Sequence, residues 1–460
     1  MIINKKQLVA NGLTDQTRKI RRDLLAVLEH VLPAIDPYSL TRDNLELRGN
    51  RLTVAKKLTL DLSGYKNMYV LGAGKAVYKM ALAVERLLAS RITSGWINIP
   101  ALPEKNELRR IRINLARHPK PDRAGVHGSK QIRSILEKAG EGDLIIAVIS
   151  GGGSALMPLP AEGLTLSEKI KLTSLLLRTP ATIHEINVVR KHMSGIKGGQ
   201  FARYAYPATV VALYVSDIID DPFDIQASGP TAPDPSTFSD AIEILKHHGI
   251  WHSAPRSIRT RFMLGAKGAI PETPKSKDEV FRNGRVHNFT IANHYTSCAA
   301  SAEAGKRLGY NVLPLTSHIQ GEAREVAKVI IAIGKQVQRY GKPVSKPALI
   351  IASGETPVHV RGKGKGGRMQ ELGLAGLLHI KEGMTLASFG TDGVDGITPK
   401  PMAGAIGDLG TKQRGQKKDL DVQKYLTDNN SYAYFKQVGD HIITGPSGTN
   451  VGDLILLAVY

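Results

Sequence analysis

Short continuous apolar runs recur along the chain at residues 67–71, 143–150, 209–215, 286–292, 311–315, 348–352, 384–389 and 453–459. Without polar alternation, such runs read as strands covered on both faces. Between them lie segments with apolar positions at helical spacing, such as Ile20, Leu24, Leu25, Val27, Leu28 and Val31 within 14–31. The same spacing predicts helices at 77–90, 166–178, 182–202, 299–309, 321–340 and 369–378. Alternating strands and helices make the chain α/β, with mostly parallel or mixed sheets flanked by helices. Over 246–283 the sheet-like patterning fades and Pro271 and Pro274 appear. This divides the chain into an N-terminal domain at 1–255, a linker at 256–284 and a C-terminal domain at 285–460.

Chemistry concentrates where the predicted strands end. The first run leads into Gly72-Ala73-Gly74-Lys75-Ala76 and a helix. A dinucleotide fingerprint would need glycine at Val77, and a phosphate-binding Walker loop would need glycine at Tyr69 and Ser or Thr at Ala76, so both motifs fail. Lys75 is left as a candidate cation for a phosphate or substrate, or an exposed turn lysine. The run at 143–150 leads into Gly151, Gly152, Gly153 and Ser154, whose backbone N–H groups suit phosphate oxygens. Asp217 follows the run at 209–215, where a Mg²⁺ ligand, a base or simply a helix cap would sit. Glu355 stands just past the run at 348–352. A short strand at 357–360 then enters the loop Arg361-Gly362-Lys363-Gly364-Lys365-Gly366-Gly367-Arg368, which reads as an oligophosphate wrap or as a solvated basic turn. Arg368 would open a helix whose dipole favours anions. Asp392 and Asp395 lie in a flexible turn, and Asn450 just precedes the last strand.

Two histidine settings point to structure. His118 sits in the rigid turn His118-Pro119-Lys120-Pro121-Asp122. His184 and Glu185 project about 100° apart on a helix and cannot share a metal; the polar face they belong to, with Asn187, Arg190, Lys191 and Lys197, is suited at most to line a cleft.

Composition narrows the class. In 460 residues, 42% are hydrophobic and 5% aromatic, enough for two or three cored domains. The formal charge is +21, from 62 Lys and Arg against 41 Asp and Glu, which steers anions toward the protein. Scarce aromatics and a dispersed basic excess argue against nucleic acid as the partner. Cys298 is the sole cysteine and reads as a buried thiol. No apolar stretch suits a signal peptide or a membrane span, so the expectation is a soluble cytoplasmic protein without membrane partners. Cations, carboxylates and bare backbone at strand ends are the parts of a phosphoryl-transfer site.

The residues also resemble the class II glycerate kinases (glycerate 2-kinases, the MOFRL family). The resemblance runs from LGAGKA at Leu71 through HPKPD at His118, ISGGGSAL at Ile149, IHEINVVRKHMSGIKGG at Ile183, VSDIIDDP at Val215 and ASGPTAPDPSTF at Ala227. It continues through GEAREVA at Gly321, SGETPV at Ser353, GKGGR at Gly364, GTDGVDG at Gly390 and GPSGTNVGDL at Gly445. It implies two Rossmann-like domains with the active site in the cleft between them, ATP and Mg²⁺ as cosubstrates, and transfer of the γ-phosphoryl group to the 2-hydroxyl of D-glycerate. A homodimer is the assembly entertained. The family's lysine falls on Lys75, its acidic residues on Asp217, Glu355 and the Thr391-Asp392-Gly393 loop, its arginine on Arg368 and its asparagine on Asn450. Nucleotide contacts fall on Gly151, Gly152, Gly153, Ser154, Lys365, Gly366, Gly367 and Asn450, and metal contacts on Asp217, Glu355, Asp392 and Asp395. Two departures stand out: Met369 replaces an asparagine after Arg368, and a glycine is missing before Glu355. The competing readings are a hydroxypyruvate reductase, which needs the dinucleotide site that Val77 breaks, and a basic nucleic-acid binder, which leaves the strand-end carboxylates unexplained.

Overall fold

Every residue of Asp143–Ser150 and of Thr209–Val215 is buried, and the two runs lie side by side in parallel. A strand in that position is covered on both faces, which is why its sequence does not alternate. The computed structural model describes residues 1–460. Its first large sheet contains, in chain order, β1 (Asn67–Ala73), β2 (Ser94–Ile99), β3 (Ile111–Leu115), β4 (Asp143–Ser150), β5 (Thr209–Val215) and β6 (Val286–Ala292). Their spatial order is β3-β2-β1-β4-β5-β6, and the pairings β3/β2, β2/β1, β1/β4 and β4/β5 are parallel. The order reverses between β1 and β4, so the turns carrying Lys75 and Gly151 are neighbours at the carboxyl edge, where open α/β sheets hold ligands.

The second large sheet contains β7 (Asn311–Ile319), β8 (Ala348–Gly354), β9 (Met384–Gly390), β10 (Gly404–Asp408), β11 (His441–Ile442) and β12 (Asp453–Val459). Its order is β7-β8-β12-β9-β10-β11. The last strand of the chain is thus inserted between β8 and β9, antiparallel to both. The helices Ala323–Tyr340 and Arg368–His379 cover one core of this sheet, with Ile330, Ile331, Leu372, Ile455 and Leu457 buried together. A small antiparallel sheet of Leu45–Arg48, Arg51–Val54 and Leu58–Asp61 precedes β1.

The chain separates into two units along lines other than the expected ones. One unit comprises Pro37–Ser216 and Asp221–Ile291, the other Met1–Asp36, Asp217–Asp220 and Ala292–Tyr460. Residues 1–36 therefore leave the N-terminal domain expected at 1–255. One tie is Arg21 on the helix Asp15–Ala34, which is fully buried. Its guanidinium donates to Asp408 at 2.6 Å, to Asp440 at 2.8 Å and to Thr411 at 2.8 Å, all from the C-terminal part of the chain. Nor is 256–284 a linker. It forms the helices Arg256–Ala266 and Glu279–Arg282, and Ile258 and Phe262 are buried against Phe238 and Leu245. Prolines in this stretch turn the chain back rather than release it, since the carbonyl of Pro274 accepts from the N–H of Asp234 at 2.8 Å. The strand Val286–Ala292 likewise joins the first sheet, beside β5.

Two predicted elements change form. The helix expected at 182–202 is two helices, Ile183–His192 and Gln200–Ala205, separated where Gly198 and Gly199 adopt φ of +56° and +79°. Residues 357–360 form no strand: the Pro357 carbonyl accepts from the N–H of Ala323 at 3.0 Å, at the start of a helix, and Val360 is exposed.

Candidate active site

In the second unit, strand register gathers the carboxylates. Asp453, the first residue of β12, pairs with Gly354 at the end of β8 and with Gly390 at the end of β9. Glu355 and the turn 391–396 therefore start from the same edge of the sheet. Arg368 lies between them, its Nη1 2.6 Å from Glu355 Oε1 and its Nε 2.9 Å from Asp453 Oδ2. Burial opposes the Arg368 charge, but Asp453 and Glu355 outweigh it and hold the pKa above its usual value. Burial also pushes the Asp453 carboxyl up to about 8 against the pull of Arg368, with Asp395 and Glu355 acting in the same direction as burial. Asp453 is absent from the set read from sequence.

The loop before β12 completes the group. Asn450 Nδ2 donates to Asp217 Oδ2 at 2.8 Å, and Asn450 Oδ1 accepts from the N–H of Gly452 at 3.1 Å, which fixes the amide's orientation. Thr391 ties this loop to the turn after β9, since its Oγ1 donates to the Gly452 carbonyl at 2.6 Å and accepts from the N–H of Val451 at 3.0 Å. Ser447 N–H donates to the Asp392 carbonyl at 3.0 Å. Asp217, Glu355, Arg368, Asn450 and Asp453 are thus joined through direct contacts or a single intervening residue, and Asp392 lies beside Thr391 in the turn tied to this loop.

Asp395 takes a different role from the one expected of it. Its Oδ1 accepts from the N–H of Met369 at 3.0 Å, and its Oδ2 from the N–H of Gln370 at 2.8 Å and from Gln370 Nε2 at 3.0 Å. It caps the helix Arg368–His379 from another segment, so its lone pairs serve the helix N-terminus and not a metal. The glycine-rich loop is also differently used. The N–H groups of Arg361 and Gly362 donate to Asn429 Oδ1 at 2.7 and 2.9 Å, that of Lys363 to Asp428 Oδ1 at 3.0 Å, and that of Lys365 to Asn430 Oδ1 at 3.3 Å. Side chains at Gly362 or Gly364 would run into the backbone of Asp428. These glycines permit close packing on the turn 428–430, and the backbone donors of Arg361 to Lys365 are already engaged. The side chains of Arg361, Lys363 and Lys365 are exposed. Met369 is fully buried in the core, so the missing asparagine takes nothing from the polar surroundings of Arg368.

In the first unit, the N–H groups of Lys75 and Ala76 donate to the Gly151 carbonyl at 2.9 Å and to Ser150 Oγ at 3.0 Å. This joins the two strand-end turns across the point where strand order reverses. Gly152 has φ +83° and lies under the His118 ring. Ser154 Oγ is 3.0 Å from Ser228 Oγ, which donates to Asn187 at 2.9 Å. Burial and then Lys75 lower the His118 pKa. Gly152, Ser154 and His118 open onto a cavity of about 440 Å³ whose far walls include Ile170, Thr173 and Leu177. Three further cations line it: Lys169, Arg190 and Lys197. Lys169 Nζ donates to the Leu159 carbonyl at 3.2 Å and Lys197 Nζ to the Ala227 carbonyl at 3.3 Å, and neither is ion-paired to a carboxylate. Burial, with Arg190 and Arg261 nearby, lowers Lys169 to about 7, and burial with Lys169 and Arg190 lowers Lys197 well below its ordinary value. Sequence placed Arg190 and Lys197 on a polar helix face and passed over Lys169. The signal was available: Lys169 shares a helical stripe with the buried Leu172 and Leu176.

Comparison with known proteins decides what the two sites belong to. Residues 23–263 match the DUF4147 family, described as a domain of unknown function, and residues 348–453 match the MOFRL family. A glycerate 2-kinase of Pyrococcus horikoshii is 38% identical, across 96% of this chain and 97% of its own. The chain belongs to the glycerate 2-kinase family. The crystal structure of a glycerate kinase from Thermotoga maritima superposes with a TM-score of 0.84 at 35% identity, covering 96% of this chain and all of that one (100%). A relative from Agrobacterium vitis, 38% identical over 84% of this chain and 85% of its own, carries the provisional name hydroxypyruvate reductase. The glycerate 2-kinase family match thus spans both sites and both sheets.

Proposed function

We propose that the chain transfers the γ-phosphoryl group of ATP to the 2-hydroxyl of D-glycerate, giving 2-phospho-D-glycerate and ADP. The observation that carries this reading is the near-full-length identity with the Pyrococcus glycerate 2-kinase. The strand-end groups support it. Asp217, oriented by Asn450, is suited to take the proton of the attacking hydroxyl. Arg368 presents a planar fork to an oxyanion, and Lys75 supplies a second cation. Gly151 to Ser154, Lys365, Gly366, Gly367 and Asn450 are the proposed nucleotide contacts, with Lys365 acting through its exposed side chain.

Mg²⁺ is the expected companion of ATP, and it would neutralise charge on the phosphate oxygens. The structure contains no cluster of three or more His, Cys, Asp or Glu side chains able to hold a metal. Mg²⁺ commonly takes one or two carboxylates together with phosphate oxygens and water. Asp217, Glu355 and Asp392 are the proposed candidates, of which one or two would hold Mg²⁺ together with the phosphates. No helix is long and apolar enough to cross a membrane, and we place the reaction in the cytoplasm.

Hydroxypyruvate reduction would require a pyrophosphate on the first turn after β1. There the Lys75 and Ala76 amides are already bonded to Gly151 and Ser150, and Val77 is buried. The test is ³¹P NMR of the product from D-glycerate and MgATP, beside NADH oxidation with hydroxypyruvate. A 2-phosphoglycerate resonance without NADH oxidation is expected; 3-phosphoglycerate, or no phosphorylated product, overturns the reading.

A further inference from the structure

We infer that the cavity of the first unit is the nucleotide's own pocket, in which Lys169, Arg190 and Lys197 hold the phosphates while Ile170 and Leu177 lie against the nucleoside. The inference rests on the kinase reading, and it assigns residues that the family resemblance leaves without a role.

Size and lining favour a nucleotide over the small acid. A volume of about 440 Å³ lies within the range of pockets that enclose drug-sized ligands, and one wall is apolar. D-Glycerate has only polar substituents on a three-carbon chain and would leave most of that wall uncovered. The charge balance points the same way. Three cations face one space without a carboxylate partner, and buried charges are ordinarily paired. A single carboxylate could satisfy one of them; a di- or triphosphate can satisfy all three, with charge-assisted hydrogen bonds to Arg190 and the two lysines. Ser154 and Gly152 border the same space, so the glycine turn after β4 adjoins the phosphate end.

The lining cations oppose one another's charge. Lys169 is lowered by burial and by Arg190 and Arg261, Lys197 by burial, Lys169 and Arg190, and His118 by burial and Lys75. Arrival of phosphate favours the protonated form of both lysines, and with Lys169 lowered to about 7, binding at pH 8 takes up a proton from solution.

The experiment is calorimetric titration of the full chain with ADP at pH 8 in two buffers of different ionisation heat. Wild type should show net proton uptake. Lys169→Met and Lys197→Met should each weaken ADP binding about 10-fold or more, as expected for losing a charge-assisted hydrogen bond, and should reduce the uptake. Ser174→Trp, at an exposed position on the cavity wall, should weaken ADP binding without altering any charge. Melting curves confirm that each variant is folded, and KM for D-glycerate should move little. Unchanged ADP affinity in the folded Ser174→Trp and lysine variants overturns the inference, as does loss of D-glycerate binding with ADP binding intact. Should wild type make 2-phosphoglycerate while ADP binding ignores these residues, the pocket assignment falls alone. Should ADP binding follow them but no phosphoglycerate form, the pocket stands and the glycerate reading falls.

Discussion

Arg21 and Lys169 are both buried cations on helices, and they are buried in opposite ways. Arg21 is enclosed by Asp408 and Asp440, with Thr411 and the Leu8 carbonyl taking further N–H groups. Lys169 has one backbone carbonyl and faces a cavity shared with Arg190 and Lys197. Burial works against the charge in both cases. The carboxylates overcome it at Arg21, whereas at Lys169 nothing does and the lysine is lowered to about 7. A buried cation whose counter-charge is built into the protein belongs to the fold. One whose counter-charge is missing, and which faces open space, belongs to a ligand.

The largest expected difference is in stability. Arg21→Met leaves Asp408 and Asp440 buried without their partner and should destabilise the fold by about 3–5 kcal/mol, the usual cost of breaking a buried ion pair. Lys169→Met replaces a lone buried ammonium by an apolar side chain of similar length and should leave stability unchanged or raise it. Denaturant melts of the two variants test the contrast directly. An Arg21→Met protein as stable as wild type would break it, and so would a Lys169→Met protein that fails to fold.

Arg368 lies between these extremes, because it has Glu355 and Asp453 as partners yet its side chain is one-third exposed (33%). It should therefore contribute to function more than to the fold. Arg368→Lys keeps the charge but loses the fork that spans Glu355 and Asp453 and can grip an oxyanion at two points. Turnover should fall on the order of 10²-fold, the scale of removing one transition-state donor, with the melting temperature nearly unchanged. Steady-state kinetics with ATP and D-glycerate would contradict this if the variant turned over at near wild-type rates.

These distinctions separate what sequence made legible from what it did not. The central strands were readable because a strand covered on both faces must be continuously apolar, as Asp143–Ser150 and Thr209–Val215 are. Pairing was not, since nothing local to 453–459 says that it lies between β8 and β9, and with that pairing hidden Asp453 looked like the ordinary first residue of a strand. The fate of the glycine loop was equally non-local. Gly362 and Gly364 read as phosphate-binding until the turn Asp428, Asn429 and Asn430 is seen to take the same amides. The burial of Arg21 was hidden because its carboxylates lie far along the chain. The placement of Asp217, Glu355, Arg368 and Asn450 near strand ends was legible because apolar runs mark where strands stop, and open α/β sheets hold ligands at that edge.

A smaller test concerns Asp395, a buried carboxylate that resembles Arg21 in having its partners supplied by the protein. Removing it in Asp395→Ala exposes no charge but frees the N–H groups of Met369 and Gln370 at a helix start. A loss of about 1–2 kcal/mol is expected, the range for deleting a helix cap. The Mg²⁺ dependence of the remaining activity should be unaltered. A shifted Mg²⁺ requirement at unchanged stability would restore the metal role.

The finest test is the pH dependence of stability. In the unfolded chain Lys169 holds its proton up to about 10.4, whereas in the folded chain it releases it near 7. Between these values the unfolded state binds more protons, so this group makes the folded state gain stability as pH rises from 7 toward 10. Below 7 both states are protonated, and the full penalty of a charged buried lysine is present. The difference in unfolding free energy between wild type and Lys169→Met, measured in the absence of nucleotide, should accordingly move in favour of wild type by about 1 kcal/mol from pH 7 to pH 8. Arg21 has no counterpart to this, because its carboxylates keep it charged throughout. Saturating ADP should flatten the slope, since a phosphate beside Lys169 restores its charge in the folded state. A pH-independent difference between the two proteins would mean that Lys169 is charged in the empty cavity, and the contrast with Arg21 would then rest on geometry alone.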